Sequence, residues 1–130
     1  MASPVGTALA GMRAATTQVA VGASNIANSQ NVGTPGATGS TSAYHALDAV
    51  QVSGPMNQPE VKVQDRQPFS SLTYQPNHPL ASGEGFVETP NVDLATELVN
   101  TKIAQRSYEA NIKSLITWDE MQATLLDIKS

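Results

Sequence analysis

The side chains best suited to acid–base or metal chemistry in this chain are His45, His78 and the adjacent carboxylates Asp119 and Glu120. A metal ion needs ligands that converge, and neither histidine has a second His, a Cys or a carboxylate at the helical or turn spacing that would complete a site. Asp119 and Glu120 are neighbours on a predicted helix, so they point about 100° apart and cannot flank one bond as a cooperating pair. Gly33, Gly36 and Gly39 could suggest a phosphate loop. No strand precedes them, no Gly-Lys-Ser/Thr comes after them, and the spacing does not fit a dinucleotide fingerprint. These residues read as loop histidines, solvated carboxylates and turn glycines. The expectation is no enzyme, no metal site and no cofactor.

Composition narrows the remaining classes. The 130 residues carry a net charge of −4, with a sequence pI near 4.9, and no run of Lys and Arg. Nucleic acid and anionic membranes both reward clustered basic residues, so neither is an expected partner. The apolar fraction is 40%, but Phe, Trp and Tyr supply only 5% of the chain and many apolar residues are alanines. One domain of this size and composition buries only a thin core. The chain has no cysteine, which excludes disulfides and thiolate metal sites without fixing the compartment. The first charge is Arg13, and Thr, Gln, Ser and Asn interrupt the apolar residues around it, so neither a cleavable secretory signal nor a membrane-inserted helix is expected.

The elements divide into three regions: residues 1–28, 29–90 and 91–130. In the first, Ser3 and Pro4 form an N-cap and N1 pair. Val5, Leu9, Met12, Thr16, Val19, Ala23 and Ile26 then recur at alternating spacings of four and three, which is a coiled-coil-like seam. Arg13 is the only acidic or basic residue before Asp48, and Gly6, Gly11, Gly22 and several alanines leave room for close helix approach. A helix so poor in charge is expected to be enclosed by other protein.

In the third region "PNVD" supplies a start signal, with Asn91 or Asp93 as cap. Neither Gly nor Pro occurs beyond that signal, which predicts a helix from Asp93 to near Lys129, roughly 50 Å long at about 1.5 Å per residue. On a helical wheel Leu94, Leu98, Tyr108, Ile112, Leu115, Ile116 and Leu126 share one side. Val99, Ile103, Met121 and Leu125 gather nearly opposite. Between them runs a polar strip of Lys102, Arg106, Glu109, Lys113 and Glu120, in which Glu109 and Lys113 have the favourable i,i+4 orientation. One intramolecular partner covers one apolar face, so the other implies further subunits.

The middle holds seven of the eight prolines and reads as extended or irregular. "VQV" at Val50 to Val52 and "VKV" at Val61 to Val63 alternate with period two and predict a small β-hairpin across Gly54 to Pro59; "SSLTYQ" reads as a third short strand. Its sizeable apolar residues, Phe69, Leu72, Tyr74, Leu80 and Phe86 among them, are too few to offset the entropy of ordering some sixty residues. The segment is expected to order on partners or stay partly disordered without them. The fold class is thus mainly α: long N- and C-terminal helices in a coiled-coil-like pair around an extended middle with a small hairpin.

Three stretches, in order along the chain, resemble one family. "SNIANSQNVGTPG", with Asn25, Ile26, Ala27 and Asn28, resembles the "NNIANANTTG" box of bacterial flagellar rod and hook proteins. "YQPNHPLASGEGFVETPNVD", carrying His78, Pro79, Pro90, Asn91, Val92 and Asp93, is similar to a segment of the proximal-rod FlgC family. "LVNTKIAQRSYEANIKSLITWDEMQATLL", with Arg106, Tyr108, Ala110 and Asn111, is similar to that family's C-terminal helix. The resemblance runs from about Val5 to Leu126. It departs where Val32 to Ser42 lacks the basic pair of the family's "TRTPEGGPYRR" continuation, and at Trp118, where a smaller residue is expected.

The resemblance implies a structural subunit of the flagellar basal-body proximal rod, a helical assembly serving motility. It implies export by the flagellar type III apparatus without a cleavable signal, assembly in the periplasm, and partners that are copies of the chain and other rod subunits. The assembly interface is expected at Val5, Leu9, Met12, Val19 and Ile26 of the first helix, with Leu98, Tyr108, Ile112, Leu115 and Leu126 as their partners. Val99, Ile103, Trp118, Met121 and Leu125 are expected to meet adjacent subunits. Another rod, hook or type III secretion filament subunit is the alternative within the class, and a small soluble binding module the alternative outside it.

Overall fold

Proline at the first helical position starts helix α1, Pro4–Ala27, and an uninterrupted run of helix formers sustains α2, Leu94–Lys129. The computed structural model describes residues 3–129. Ser3 takes the N-cap position of α1, and its carbonyl accepts the Thr7 N–H at 2.9 Å, but its hydroxyl makes no capping bond. Asp93 does cap α2. Its carboxylate accepts the Ala95 N–H at 3.2 Å and the Thr96 hydroxyl at 2.7 Å, and these two bonds hold its pKa below the ordinary value.

The two helices pack antiparallel: Gly22 lies against Thr101 and Glu97, and Gly11 against Asn111. Pro4 lies as many residues before Gly11 as Trp118 lies after Asn111. Every described residue from Asp119 onward is exposed. At about 1.5 Å per residue, the last 16 Å or so of α2 therefore projects past the start of α1.

Between the helices the chain makes two antiparallel strand pairs. Strands β1, Leu47–Ser53, and β2, Pro59–Asp65, pair in the register Gln51 to Val61, turning through Gly54 to Gln58. This is the hairpin the alternating valines predict. Strand β3, Ser70–Tyr74, pairs with β4, Phe86–Pro90, placing Leu72 opposite Glu88. The hairpin β1–β2 lies along α1, with Leu47 hydrogen-bonded to Asn25 at one end and the Gln58 side chain beside Gly6 at the other.

The fully enclosed apolar side chains are small. Ala8, Ala14, Ala15, Ala43, Ala46 and Ala104 are buried with Val21 and Val87, and the largest fully buried side chains are Val87 and Asn25. Residues 29–90 nonetheless have more defined structure than their apolar content suggests. Gly33 exchanges two backbone hydrogen bonds with Glu88, at 2.9 and 2.8 Å, and Arg66 and Asn25 bind backbone atoms across the elements. Counting apolar burial alone overlooks these polar ties.

Candidate assembly interface

On α1, Gly11, Ala15, Gln18 and Gly22 lie against α2, and Ala8 and Asn25 continue the same heptad of small and polar residues at its two ends. The apolar heptad expected there lies one residue further on at every position. One residue is about 100° of rotation, so Val5, Leu9, Met12, Thr16, Val19, Ala23 and Ile26 flank the seam instead of forming it. Close approach is the physical reason. A Cβ on Gly11 would sit 2.5 Å from Asn111 Oδ1, and one on Gly22 2.5 Å from Thr101 Oγ1, so at these two positions α1 takes a larger side chain only if Asn111 or Thr101 moves.

The facing heptad of α2 is Glu97, Thr101, Ala104, Tyr108, Asn111, Leu115 and Trp118. Tyr108 and Leu115 are therefore at seam positions, with Tyr108 still 39% exposed toward the open groove. Leu98 and Ile112 are not: they come one residue after seam positions, and Leu98 is 60% exposed. In an antiparallel pair the two displaced rows fall on the same side. Leu9, Met12, Thr16 and Val19 border Tyr108, Thr101 and Gln105 along one open groove. Val5 and Leu9 thus lie on the same side as Leu98 and Ile112, forming an apolar face left open among the described residues. Leu126 lies beyond α1 altogether.

The opposite side of α1 is covered. Ala10, Ala14, Thr17 and Val21 recur at spacings of four, three and four, and Ala14 and Val21 are buried where the β1–β2 hairpin lies. Ile103 lines the polar cleft between α2 and β1 yet is 59% exposed, and Val99 joins it along the outer groove of α2. Met121 and Leu125 sit on the projecting end.

Two polar clusters fix the hairpin to the helices. Asn25, with no exposed surface, binds the backbone of Leu47 as a neighbouring strand would: its Nδ2 donates to the Leu47 carbonyl at 2.8 Å and its Oδ1 accepts the Leu47 N–H at 2.9 Å. The Tyr44 hydroxyl donates to the same Oδ1 at 3.1 Å. Asn28 closes the helix end by donating to the Ser24 carbonyl at 2.8 Å, while Ala27 is exposed. Arg66 donates to Asp48 at 2.8 Å, to Glu97 at 2.7 Å, and to the carbonyls of Asn91 and Leu47 at 2.9 and 3.3 Å. Burial opposes its charge, but the hydrogen bonds and charges of Asp48 and Glu97 outweigh that and raise its pKa. Glu97, 3% exposed, is thus a buried carboxylate with its counter-ion in place.

The remaining motif residues shape loops and helix starts. The His78 Nδ1 accepts the Leu80 N–H at 3.1 Å inside the β3–β4 connection, with Pro79 next to it, so this histidine builds a turn. His45 stacks on Phe69 at 4.0 Å between ring centres and approaches Asp65 at 3.4 Å. Pro90 is buried at the end of β4, Asn91 donates to the Pro68 carbonyl at 2.9 Å, and Val92 is half-buried before the Asp93 cap. Glu109 meets Arg106 at 3.3 Å, not the Lys113 expected from the i,i+4 spacing, and Ala110 lies beside that pair. Among the described residues no cluster of three or more His, Cys, Asp or Glu is placed to hold a metal, and no helix is long and apolar enough to cross a membrane.

Arg66, Asp48 and Glu97 were not legible as a site, because they are scattered through the sequence and only the fold joins them. The small-residue heptad was legible: the spacing of Gly11, Ala15, Gln18, Gly22 and Asn25 is as regular as that of the apolar row.

Comparison with known proteins agrees with this architecture. Residues 84–128 match the family described as flagellar basal body rod FlgEFG protein C-terminal. Over 114 residues the chain is 40% identical to flagellar basal-body rod protein FlgC of Salmonella typhimurium, covering 83% of this chain and 82% of that one. It is 39% identical over the same shares to the Escherichia coli protein of that name. To the Agrobacterium fabrum protein it is 30% identical over 125 residues, covering 91% and 87%. The chain belongs to the FlgC family of flagellar basal-body rod proteins.

Proposed function

We propose that this chain is a structural subunit of the proximal rod of the bacterial flagellar basal body, built in through the apolar faces of its two long helices. The observation that carries the reading is the open side of the helix pair, where Val5, Leu9, Leu98 and Ile112 are exposed together. Exposed apolar surface of this extent marks an interaction site, and faces on both sides of α2 allow the unlike patch-to-patch contacts that a helical array requires. Its partners on this reading are copies of the chain and other rod subunits, and torque passes along helices packed side by side.

The route to that position is export by the flagellar type III apparatus without a cleavable signal, and then assembly in the periplasm. A chain whose enclosed core is mostly alanine unfolds readily for passage through a narrow channel.

Ile112→Asp tests the interface. It removes an apolar contact worth about 1.5–3 kcal/mol when fully buried and places a charge at the contact, so association should weaken by about 100-fold or more. Cells carrying this variant should make folded protein but lose rod assembly and swimming. Normal motility with Ile112→Asp would overturn the interface, and flagella in a strain lacking the gene would overturn the rod assignment.

A further inference from the structure

Strand β1 has an outer edge that its own chain leaves mostly unpaired. In the β1–β2 ladder the Arg66 N–H donates to the Ala46 carbonyl and the Gly54 N–H to the Gln58 carbonyl, each at 2.7 Å. Bonded pairs alternate along an antiparallel ladder, so Asp48, Val50 and Val52 face β2, while Leu47, Ala49 and Gln51 turn their N–H and C=O groups away from it. The Asn25 side chain takes both groups of Leu47. Those of Ala49 and Gln51 have no partner among the described residues.

A cleft of about 280 Å³ lies beside that edge, lined by Gln18 and Gly22 of α1, Ala49 and Val50 of β1, and Asn100 and Ile103 of α2. Arg66 closes one end, donating to the Leu47 carbonyl at 3.3 Å and to Glu97 at 2.7 Å, so Leu47 and Glu97 are level. From there β1 and α2 run the same way. At about 3.3 Å per strand residue and about 1.5 Å per helix residue, Gln51 comes level with Arg106, roughly 13 Å along. The acids at the closed end, Asp48 and Glu97, are held by Arg66. Past Ile103 the α2 wall continues into its outer groove, which Lys102 and Arg106 line. Lys102 meets only the neutral Gln105 side chain and Arg106 meets Glu109, so that mouth is positive.

We propose that this cleft takes an extended, acidic segment of another protein, added as a third strand of the β1–β2 sheet. Its backbone bonds Ala49 and Gln51, alternate side chains lie against Val50 and Ile103, and a carboxylate reaches Arg106 and Lys102. The opposite wall selects the occupant. Because α2 stands across the cleft, the incoming strand has no room for a further strand beside it. That excludes β2 and β3 of a second copy, each of which carries a partner strand, and leaves a single linker or tail. The site is on the hairpin side of the helix pair, away from the open apolar face, and does not depend on the rod reading.

The probe is a short fluorescein-labelled peptide alternating valine with threonine and glutamate; its control has lysine in place of glutamate. Fluorescence anisotropy with the full chain should show saturable binding of the glutamate peptide, at least about tenfold tighter than the control. The Gln51 N–H faces outward, where an edge strand tolerates proline, so Gln51→Pro should leave the denaturant unfolding midpoint unchanged and weaken binding by about tenfold or more. If Gln51→Pro lowers the midpoint, Arg106→Glu carries the test, and the preference should reverse toward the lysine peptide. Amide exchange should slow at Ala49 and Gln51 in the complex and not at Val61 and Val63, which face outward on β2. No binding at millimolar peptide, equal binding of the two peptides, equal slowing on both edges, or binding that neither variant alters would overturn the proposal. The rod reading would stand, since Ile112→Asp and the deletion strain test it separately.

Discussion

Replacing Asn25 with alanine should cost far more than replacing Asn28, although both belong to the same short motif. Asn25 is fully buried and makes three hydrogen bonds, two with the backbone of Leu47 and one with the Tyr44 hydroxyl. At about 0.5–1.5 kcal/mol for each bond, their loss amounts to roughly 1.5–4.5 kcal/mol. The Leu47 carbonyl retains Arg66, but the Leu47 N–H is left without its acceptor, which puts the expectation in the upper half of that range. Asn28 is half-buried and makes two side-chain bonds, donating to the Ser24 carbonyl at 2.8 Å and accepting from the exposed Asn31 amide at 2.7 Å, so Asn28→Ala should cost about 1–2 kcal/mol. Denaturant unfolding of the purified chain, monitored by far-UV circular dichroism, measures both. If the two variants agree within about 0.5 kcal/mol, a typical error for such comparisons, the assigned role of Asn25 is wrong.

Gly33→Ala should be severely destabilising, by about 3 kcal/mol or more, because its Cβ would fall 2.0 Å from the Ala43 backbone nitrogen. Gly36→Ala, at a φ of 71° with open space around it, should cost only about 1–2 kcal/mol by the same unfolding measurement. Arg66→Met strands the buried Glu97 carboxylate and should cost about 3–5 kcal/mol, and adding Glu97→Met should recover much of the loss. The lowered pKa of Asp93 makes its contribution to stability full above its ordinary value of 3.8 and lost as the pH falls through the lower folded value. In Asp93→Asn, which still caps the helix, the fall in unfolding midpoint below that pH should be shallower.

Long-period features of the fold could be read from residue types alone. The length of α2, the Asp93 cap and the β1–β2 hairpin each come from uninterrupted periodicity between clear start and stop residues. The Leu9 and Val19 row was also visible, but periodicity alone does not say which of two parallel heptads turns inward. The choice falls to interaxial distance, and Gly11 and Gly22 set it by admitting Asn111 and Thr101 where a Cβ would collide. Strand β4 was read only as an extended segment before Pro90, because its partner β3 lies across an eleven-residue connection. Arg66 gave no local signal, since its value comes from Asp48 and Glu97 brought together from distant segments. Asn25 was legible as a motif residue and not as the strand partner of Leu47, because that role depends on where the hairpin returns.

The central claim is that the open side of the helix pair is buried by neighbours in the rod. Thr16→Cys sits at its centre and is exposed in the single chain, so its rate of maleimide labelling reports that burial directly. The free chain and denatured rods should label at the rate of an exposed thiol, and intact purified basal bodies at least about tenfold more slowly, the factor set by a burial free energy of about 1.4 kcal/mol. Equal rates in the free chain and the intact rod would contradict the account.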